Sequence, residues 1–315
     1  MMTEFKNRAY GFAVVKAINS NYNADFSGQP RTLPNGQVYA TDKALKYTVR
    51  NYLKDAYPNE KVFYFKRLNA EMNPLSLDHA YINVFPEHKD LDAKHKDTKS
   101  IVIKDILSCI DIRLFGSTFA KKAKGGNIAL SIHGPVQINH GVNIWNEGNI
   151  FSEQITSPFN SDADSKNEQT TIGRQSKLEE GHYVHHFSIN PKNIEEIAKH
   201  GQGGTQTLSE KDIDLLKEGL RKGATYYDSA AKAGTENEML FYVELNEGSR
   251  LVLPNFTEMV KIENKKDDGK RYFDLSAVKA ELDKHKDEIS KCEIYFNSNN
   301  VEVENLPENC SIFEL

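Results

Sequence analysis

Apolar residues recur with the period of a strand in some segments of the chain and with that of a helix in others. Residues 10–18 are nearly continuous in apolar side chains, which predicts a strand buried on both faces near the centre of a sheet. Shorter apolar or alternating runs predict further strands over residues 62–68, 127–139, 183–189, 239–245, 251–253 and 293–296.

Helical spacing of apolar residues predicts helices between these strands. Thr207 and Glu210 have the spacing of a capping box, and Gly116 is placed to end a helix. The inward-facing sets are Leu107, Ile110 and Leu114 within residues 104–115; Ile213, Leu216 and Leu220; and, near the C-terminus, Leu275, Val278, Leu282 and Ile289.

One further helix separates charged from apolar side chains. Pro34 and Gly36 mark a turn, and Thr41 or Asp42 is placed to cap the helix that follows. At about 100° per residue, Lys43, Lys46, Arg50 and Lys54 fall on one side, and Leu45, Val49 and Tyr52 on the other. Neither Asp42 nor Asp55 falls inside the basic stripe. Such a helix can hold a phosphate backbone, and a solvated surface helix has the same pattern.

Two polar segments interrupt this pattern. Residues 69–99 contain Pro74 and Pro86 and are predicted to form an inserted region. Residues 152–177 are rich in Ser, Thr, Asn, Asp and Gln, which is typical of a surface loop.

Strands and helices mix without strict alternation, so we predict a single α+β domain over residues 1–315, with an RRM-like (ferredoxin-like) core and long insertions.

The charge of the chain is unevenly distributed. Its 40 Lys and Arg and 45 Asp and Glu leave a net charge of −5, which argues against a protein that coats polyanions over its whole surface. Residues 1–67 nevertheless carry 11 basic and 5 acidic side chains, whereas residues 182–315 carry 17 basic and 25 acidic ones. A basic front and an acidic back suit local anion binding, or contact between copies of one subunit.

Few residues suggest catalytic or metal chemistry. No P-loop or dinucleotide fingerprint is present. Among His182, His185 and His186, the first and third share one face of a strand and the second points away, which is poor geometry for a single metal. Asp25 is a candidate general base, but an Asx-turn is the more frequent role of such a residue.

Cysteine usage and hydropathy indicate the compartment. Cys109, Cys292 and Cys310 have no paired spacing, which argues against a disulfide framework or a cysteine-rich zinc site and favours a reducing compartment. No apolar signal region begins the sequence, and no run approaches the ~18 apolar residues of a membrane span. We therefore expect a cytoplasmic protein that does not contact a membrane.

Four segments of the chain together resemble a known family. They are residues 19–25 with Pro30 and Arg31; residues 40–50; residues 111–116 followed by 134–138; and residues 172–174 ahead of 181–183. In this order they are similar to the CRISPR-associated "Cas seven" branch of the RAMP superfamily, the backbone subunit of type I Cascade complexes. Subtype I-B is the most similar, and I-C is a near relative.

The resemblance implies a function without catalysis, metal or cofactor. In that family an RRM-like palm with finger-like insertions, here residues 69–99, binds a CRISPR guide RNA. Copies of the subunit polymerise in a helical filament, and complementary target DNA pairs with the guide. The expected partners also include the guide-end cap subunit, the large subunit and the guide-processing endonuclease of Cascade.

The resemblance also implies which residues meet RNA. Thr41, Lys43, Lys46 and Arg50 would contact guide phosphates, with Arg31 nearby. Residues 152–177 would form a thumb, as a loop or hairpin, in which Phe159 or Ile172 wedges between bases and Arg174 holds phosphate.

Two other functions remain open from the sequence. The first is a type III-like endoribonuclease that uses Asp25, although this chain has Asn23-Ala-Asp25 where the family often has Asn-Gly-Asp. The second is an interaction protein whose basic stripe docks acidic partners.

Overall fold

A nine-stranded sheet forms the centre of the fold. The computed structural model of the protein describes residues 3–156, 172–203, 205–263 and 269–315. The strands in these ranges are β1 Ala9–Ser20, β2 Tyr39–Ala40, β3 Gly116–Ala123, β4 Gly126–His133, β5 Val136–Ile138, β6 Gly141–Asn143, β7 Ile150–Thr156, β8 Ile172–Ile189, β9 Thr235–Leu245, β10 Lys261–Glu263, β11 Arg271–Asp274, β12 Ile289–Phe296, β13 Val301–Glu304 and β14 Ser311–Phe313. The helices are α1 Asp42–Ala56, α2 Leu77–Val84, α3 Thr98–Leu107, α4 Ile110–Phe115, α5 Lys192–Lys199, α6 Glu210–Tyr226 and α7 Ser276–Asp283. The predicted α+β class is confirmed.

The first strand is central, as its apolar run predicts. The main sheet has the order β14-β12-β9-β1-β8-β6-β2, and β5 and β7 also pair with the long strand β8. Ala13 and Val15 belong to the apolar core on one face of β1, whereas Phe12 and Val14 belong to a second core on the opposite face. Because both faces are covered, nearly every position of this strand is apolar.

Two long helices cover one face of the sheet, and they pack closely on each other. α6 approaches α1 at two glycines: a Cβ on Gly223 would lie 2.8 Å from the Thr48 carbonyl oxygen, and one on Gly219 would lie 2.8 Å from Val49 Cγ1. The predicted inward residues of α6 are buried; they are Ile213, Leu216 and Leu220. The close contact fixes the position of α1 on the sheet.

The capping box of α6 lies two residues beyond its predicted place. The Ser209 hydroxyl accepts from the Asp212 backbone N–H, and the Asp212 carboxylate accepts from Ser209. Thr207 instead donates to Glu4. Asp212 also accepts two hydrogen bonds from the buried guanidinium of Arg113, at 2.8 and 3.1 Å, so the same carboxylate joins α6 to α4.

The prediction of a strand over residues 62–68 is wrong. The backbone N–H groups of Phe63 and Tyr64 donate to the Asp111 carboxylate at 2.8 and 2.9 Å, instead of to a neighbouring strand. The guanidinium of Arg67 binds the carbonyls of Val62 and Phe63. Side chains therefore satisfy the polar backbone of this apolar segment.

Other predicted boundaries also differ from the observed ones. The predicted inserted region 69–99 contains α2, which the Ser76 side chain caps, and the predicted helix 104–115 is divided where Arg113 binds the carbonyls of Leu107 and Ser108. Residues 251–253 form no strand. The last predicted helix ends at Asp283, and Ile289 begins β12 instead.

A smaller layer covers the opposite face of the main sheet. It contains the sheet β10-β11-β13 and helix α7. Cys292 and Cys310, free thiols at the edge of this layer, lie with their Sγ atoms 2.6 Å apart, a proximity that their sequence spacing does not indicate. None of the helices in the described part of the chain combines the length and the apolar character needed to cross a bilayer.

Candidate nucleic-acid interface

The first loop of the chain is hydrogen-bonded to the start of α1. Asn23 Oδ1 accepts from both the backbone N–H and the hydroxyl of Thr41, at 2.9 Å each. Thr41 is the N-cap residue of α1, but its side chain makes no capping hydrogen bond to the helix. Its hydroxyl donates to Asn23 instead. The bond places the loop between β1 and β2 beside the first turn of the helix.

The predicted cationic face of α1 is not a free ridge. The side chain of Lys43 is 82% exposed, but those of Lys46 and Arg50 are only 12% and 14% exposed. Lys46 Nζ lies 3.0 Å from Asp42 Oδ2, and Arg50 Nε lies 3.1 Å from Asp111 Oδ2. The prediction of one exposed basic stripe, clear of Asp42, is therefore wrong.

Packing by α4 explains this difference. The ring of Phe115 lies under the ammonium of Lys46 and the guanidinium of Arg50, at 5.6 and 5.1 Å from its centroid. A prediction from the angular positions of residues treats α1 as an isolated helix. Such a prediction cannot show that α4 packs against the charged side of α1. Lys54, the fourth member of the stripe, pairs with Asp55.

The loop that follows β1 is ordered by one carboxylate. Asp25 Oδ1 accepts from the Ser27 N–H and hydroxyl, at 2.8 Å each, and from the Gln29 N–H at 2.9 Å. The hydrogen bond from the Ser27 hydroxyl is the main cause that lowers the pKa of Asp25 below its ordinary value. The Asx-turn alternative for Asp25 is therefore the one that the geometry supports.

Two cationic side chains around this loop form no salt bridge within 4 Å among the described residues, although the charge of Arg31 also lowers the pKa of Asp25. Arg31 Nε is buried and has no hydrogen-bond partner among the described residues. Lys232 donates to the Tyr22 carbonyl and packs over the Tyr22 ring. Burial lowers the pKa of Lys232 to about 8. An anion bound near either group would stabilise its charge.

The predicted thumb begins as a hairpin. β7 and β8 pair in antiparallel register from Ile150–Leu178 to Thr156–Ile172. Arg174 is exposed, opposite Gln154, and Asn21 Nδ2 donates to the Ser176 carbonyl at 3.0 Å. The hairpin is therefore joined to the same loop as α1. Phe159 lies outside the described residues, and the choice between Phe159 and Ile172 as wedge stays a prediction.

The three histidines of β8 lie on two faces, as predicted. His185 contacts the Tyr22 hydroxyl, at 3.3 Å, on the α1 side. On the other side, His182 lies 2.5 Å from a Glu238 carboxylate oxygen and 3.1 Å from a Glu180 one. Burial lowers the pKa of His182, but the two carboxylates outweigh it and raise that pKa above its ordinary value. No set of three metal-ligating side chains occurs in the part of the chain that the structure describes.

Sequence reasoning missed two residues at this interface. Phe26 is fully exposed at the tip of the loop, and Lys232 reaches the base of the same loop from a turn about 200 residues away in the chain. The sequence does contain a sign that Phe26 is functional, since it is an isolated aromatic residue within a polar turn. It contains no such sign for Lys232, because only the fold brings the two segments together.

Comparison with known proteins places this geometry in a family. A family model described as "CRISPR-associated protein Cas7" matches residues 7–283. A solved structure described as "CRISPR RNA-guided surveillance complex, pre-nicking" is 11% identical, with a TM-score of 0.56, and the alignment covers 98% of this chain and 96% of that one. A second structure, "CRISPR RNA-guided surveillance complex", is also 11% identical, with a TM-score of 0.48 and coverage of 95% and 96%. No curated protein matches. At 11% identity, the likeness to the first of these structures concerns the fold alone.

Proposed function

The chain belongs to the CRISPR-associated Cas7 family, and from this premise we propose that it is a non-catalytic backbone subunit of a type I Cascade surveillance complex, of subtype I-B. It binds a CRISPR guide RNA, polymerises along it with copies of itself, and supports pairing of the guide with target DNA. The other Cascade subunits are its partners in the cytoplasm.

The junction of loop, helix and hairpin carries this proposal. Asn23 joins the first loop to Thr41, and Asn21 joins the same loop to Ser176 of the hairpin. These bonds support a site that includes Arg31, Lys43 and Arg174, although Arg174 follows the other two by more than 130 residues. Cationic groups held in this way suit the backbone of a single strand.

We assign direct RNA contacts to four residues of the loop, the start of α1 and the hairpin. Arg31, Thr41, Lys43 and Arg174 contact guide phosphates or sugars. Lys43 also lies 3.2 Å from Asp42 Oδ1, but its side chain is 82% exposed and can turn towards a phosphate. Lys46 and Arg50, which are only 12% and 14% exposed, are held by Asp42 and Asp111, and taking up a phosphate would separate these pairs. We therefore assign Lys46 and Arg50 to holding α1 in position beside the guide.

The topology supports an RRM-like palm. The order β9-β1-β8-β6 is antiparallel throughout, with α1 after β1 and α6 before β9, which is the arrangement of a split β-α-β fold. Residues 69–99 are then a finger-like insertion of this single domain. Residues 152–177 are the thumb, which folds over the guide and displaces a base with Phe159 or Ile172.

Recovery of the bound nucleic acid tests the proposal. The chain is co-expressed with the other Cascade subunits, purified, and the nucleic acid that accompanies it is extracted and sequenced. Short RNAs of uniform length with repeat-derived ends are expected. Protein that assembles with its neighbours but carries no RNA would contradict the proposal.

The salt dependence of binding tests the site. Each phosphate contact to a single strand contributes about 0.7 to the slope of log affinity against log salt. Replacing Arg31 and Lys43 together with alanine should lower that slope by about 1.4. The matched control is Lys199→Ala, a lysine on α5 with a 69% exposed side chain, which should change neither affinity nor slope. An unchanged slope in the double variant would remove Arg31 and Lys43 from the site.

A further inference from the structure

The aromatic residue at the tip of the first loop is exposed to an unusual degree. Phe26 has a relative exposure of 106%, the highest among the large apolar residues that the structure describes. A phenylalanine in water forgoes the burial that stabilises most aromatic side chains. Its immediate neighbours in the sequence, Asp25 and Ser27, are polar.

The loop holds Phe26 in place. Besides the three hydrogen bonds that Asp25 Oδ1 accepts, the Asp25 N–H donates to the Gln29 carbonyl at 2.8 Å. Gly28 closes the turn at φ 82°, a conformation open to glycine. The ring is therefore presented outward by an ordered turn.

A second observation indicates a ligand at this loop. Five buried side-chain polar atoms lack a hydrogen-bond partner in the described residues, and two of them, Asn21 Oδ1 and Arg31 Nε, lie at the two ends of this loop. Asn21 itself is only 3% exposed. Buried polar groups are nearly always paired, so two orphaned atoms on one loop are explained if a bound molecule completes them.

The chemistry around the loop favours a nucleotide. Arg31 and Lys232 supply positive charge for a phosphate, Asn21 supplies an acceptor, and Phe26 supplies a flat apolar surface. A pocket for a protein side chain would instead have apolar neighbours. Aromatic rings beside cationic groups are the usual means of binding single-stranded nucleic acid.

We propose that Phe26 stacks on an unpaired nucleobase of the strand that this subunit binds, while Arg31 contacts the adjacent phosphate. This inference rests on the proposed function and adds a base contact outside the thumb. In a filament, each copy would present one such ring, so stacked bases would recur at the spacing of the subunits. The base belongs either to the guide RNA or to the complementary DNA.

Two substitutions of Phe26 test the inference in the assembled complex and in the purified chain. Phe26→Ala should weaken binding of single-stranded oligouridine about tenfold, within the range measured for stacked bases, and leave the salt slope unchanged because no charge is lost. Phe26→Trp should bind like the wild type. Since the sole native tryptophan, Trp145, is only 8% exposed, the added indole should dominate the fluorescence change and be quenched by RNA.

The control is Val252→Ala, which removes a 68% exposed apolar side chain elsewhere on the surface and should leave binding unchanged. Because Phe26 touches no core residue, its variants should melt at the wild-type temperature.

Loss of guide from the Phe26→Ala complex would assign the stacked base to the guide. A retained guide with weakened binding of complementary DNA would assign it to the target.

Two results would overturn the inference and leave the proposed function intact. One is equal affinity of wild type and Phe26→Ala for RNA and for target DNA. The other is impaired self-association of Phe26→Ala with unchanged nucleic-acid affinity, which would make the ring a contact between copies. Failure of the wild type itself to bind any RNA would overturn both proposals.

Discussion

Arg50 on α1 and Asp111 on α4 form a partly buried ion pair, with 3.1 Å between Nε and Oδ2 and a 14% exposed arginine side chain. Asp111 is completely buried and also accepts the backbone N–H groups of Phe63 and Tyr64. One carboxylate thus joins α1, α4 and the irregular segment between them. The arginine that the sequence assigns to RNA thus also takes part in the internal packing of the protein.

We predict that this pair stabilises the fold. Asp111→Ala leaves a partly buried guanidinium and two backbone donors unpaired, and should lower the free energy of unfolding by about 3 kcal/mol. Arg50→Ala should cost less, about 2 kcal/mol, because the two backbone donors still neutralise the carboxylate in part. Urea unfolding measures both. Lys43→Ala, on the exposed side of the same helix, should change the stability by less than about 0.5 kcal/mol.

The same pair shows how far the sequence predicts the site. The sequence alone predicts the turn of α1 that carries Lys43, the apolar face with Leu45 and Val49, and the order of the family motifs. It does not predict the burial of Arg50, because that burial depends on α4, more than 50 residues further along the chain. Charges on a helix are predictable as positions, but their partners are set by tertiary packing.

The fold was predictable to a similar extent. Long periodic segments such as β1 and α6 were recognised because burial on one or both faces leaves a repeated pattern. The strand predicted over residues 62–68 is absent because the side chains of Asp111 and Arg67 take backbone hydrogen bonds of residues 62–64. The eight-residue helix α2 was missed, since two turns between prolines leave too short a period to detect.

We predict that the α1–α6 contact tolerates an added methyl group better at Gly219 than at Gly223. At Gly219, an added Cβ has one short contact, with the Val49 Cγ1 methyl at 2.8 Å, whereas at Gly223 it meets three backbone atoms of Thr48 and Val49 at 2.8–3.2 Å. Gly223→Ala should therefore destabilise the protein by about 2 kcal/mol, and Gly219→Ala by clearly less. Thermal or urea unfolding of the two variants makes the comparison, and equal stability would show that α1 shifts freely on α6.

A third prediction concerns the pH dependence of stability at His182. The carboxylates of Glu238 and Glu180 raise the pKa of His182, while the hydrogen bond from His182 is the main cause that lowers the pKa of Glu180 to about 2. Protonated His182 therefore stabilises the fold fully below about pH 6.5, and this contribution is lost as the pH rises through the raised pKa. The contribution of ionised Glu180 is present above about pH 4.5 and lost as the pH falls towards 2.

Unfolding free energies measured from pH 3 to 9 check both directions. The difference between wild type and His182→Gln should be greatest below about pH 6.5 and shrink at higher pH. The difference between wild type and Glu180→Gln should shrink below about pH 4.5. A His182→Gln difference that grows with pH would mean that His182 is neutral in the folded protein.

The last prediction separates a structural role of Asp25 from a catalytic one. Only Oδ1 of Asp25 accepts the three hydrogen bonds that order the loop. Asp25→Asn keeps an oxygen in that position, whereas Asp25→Ala removes it. If Asp25 orders the loop, guide binding by Asp25→Asn should equal that of the wild type, and binding by Asp25→Ala should fall severalfold because Phe26 and Arg31 are no longer held.

A cleavage assay on the same variants completes the test. The assembled complex is incubated with RNA complementary to its guide and with Mg²⁺ or Mn²⁺, and the products are resolved by length. A backbone subunit leaves the RNA intact in all three proteins. A general base or metal ligand needs the charge of the carboxylate, which an amide lacks. Regularly spaced cleavage by the wild type that disappears in Asp25→Asn would therefore identify an endoribonuclease and overturn the non-catalytic assignment, whatever the variants do to guide binding.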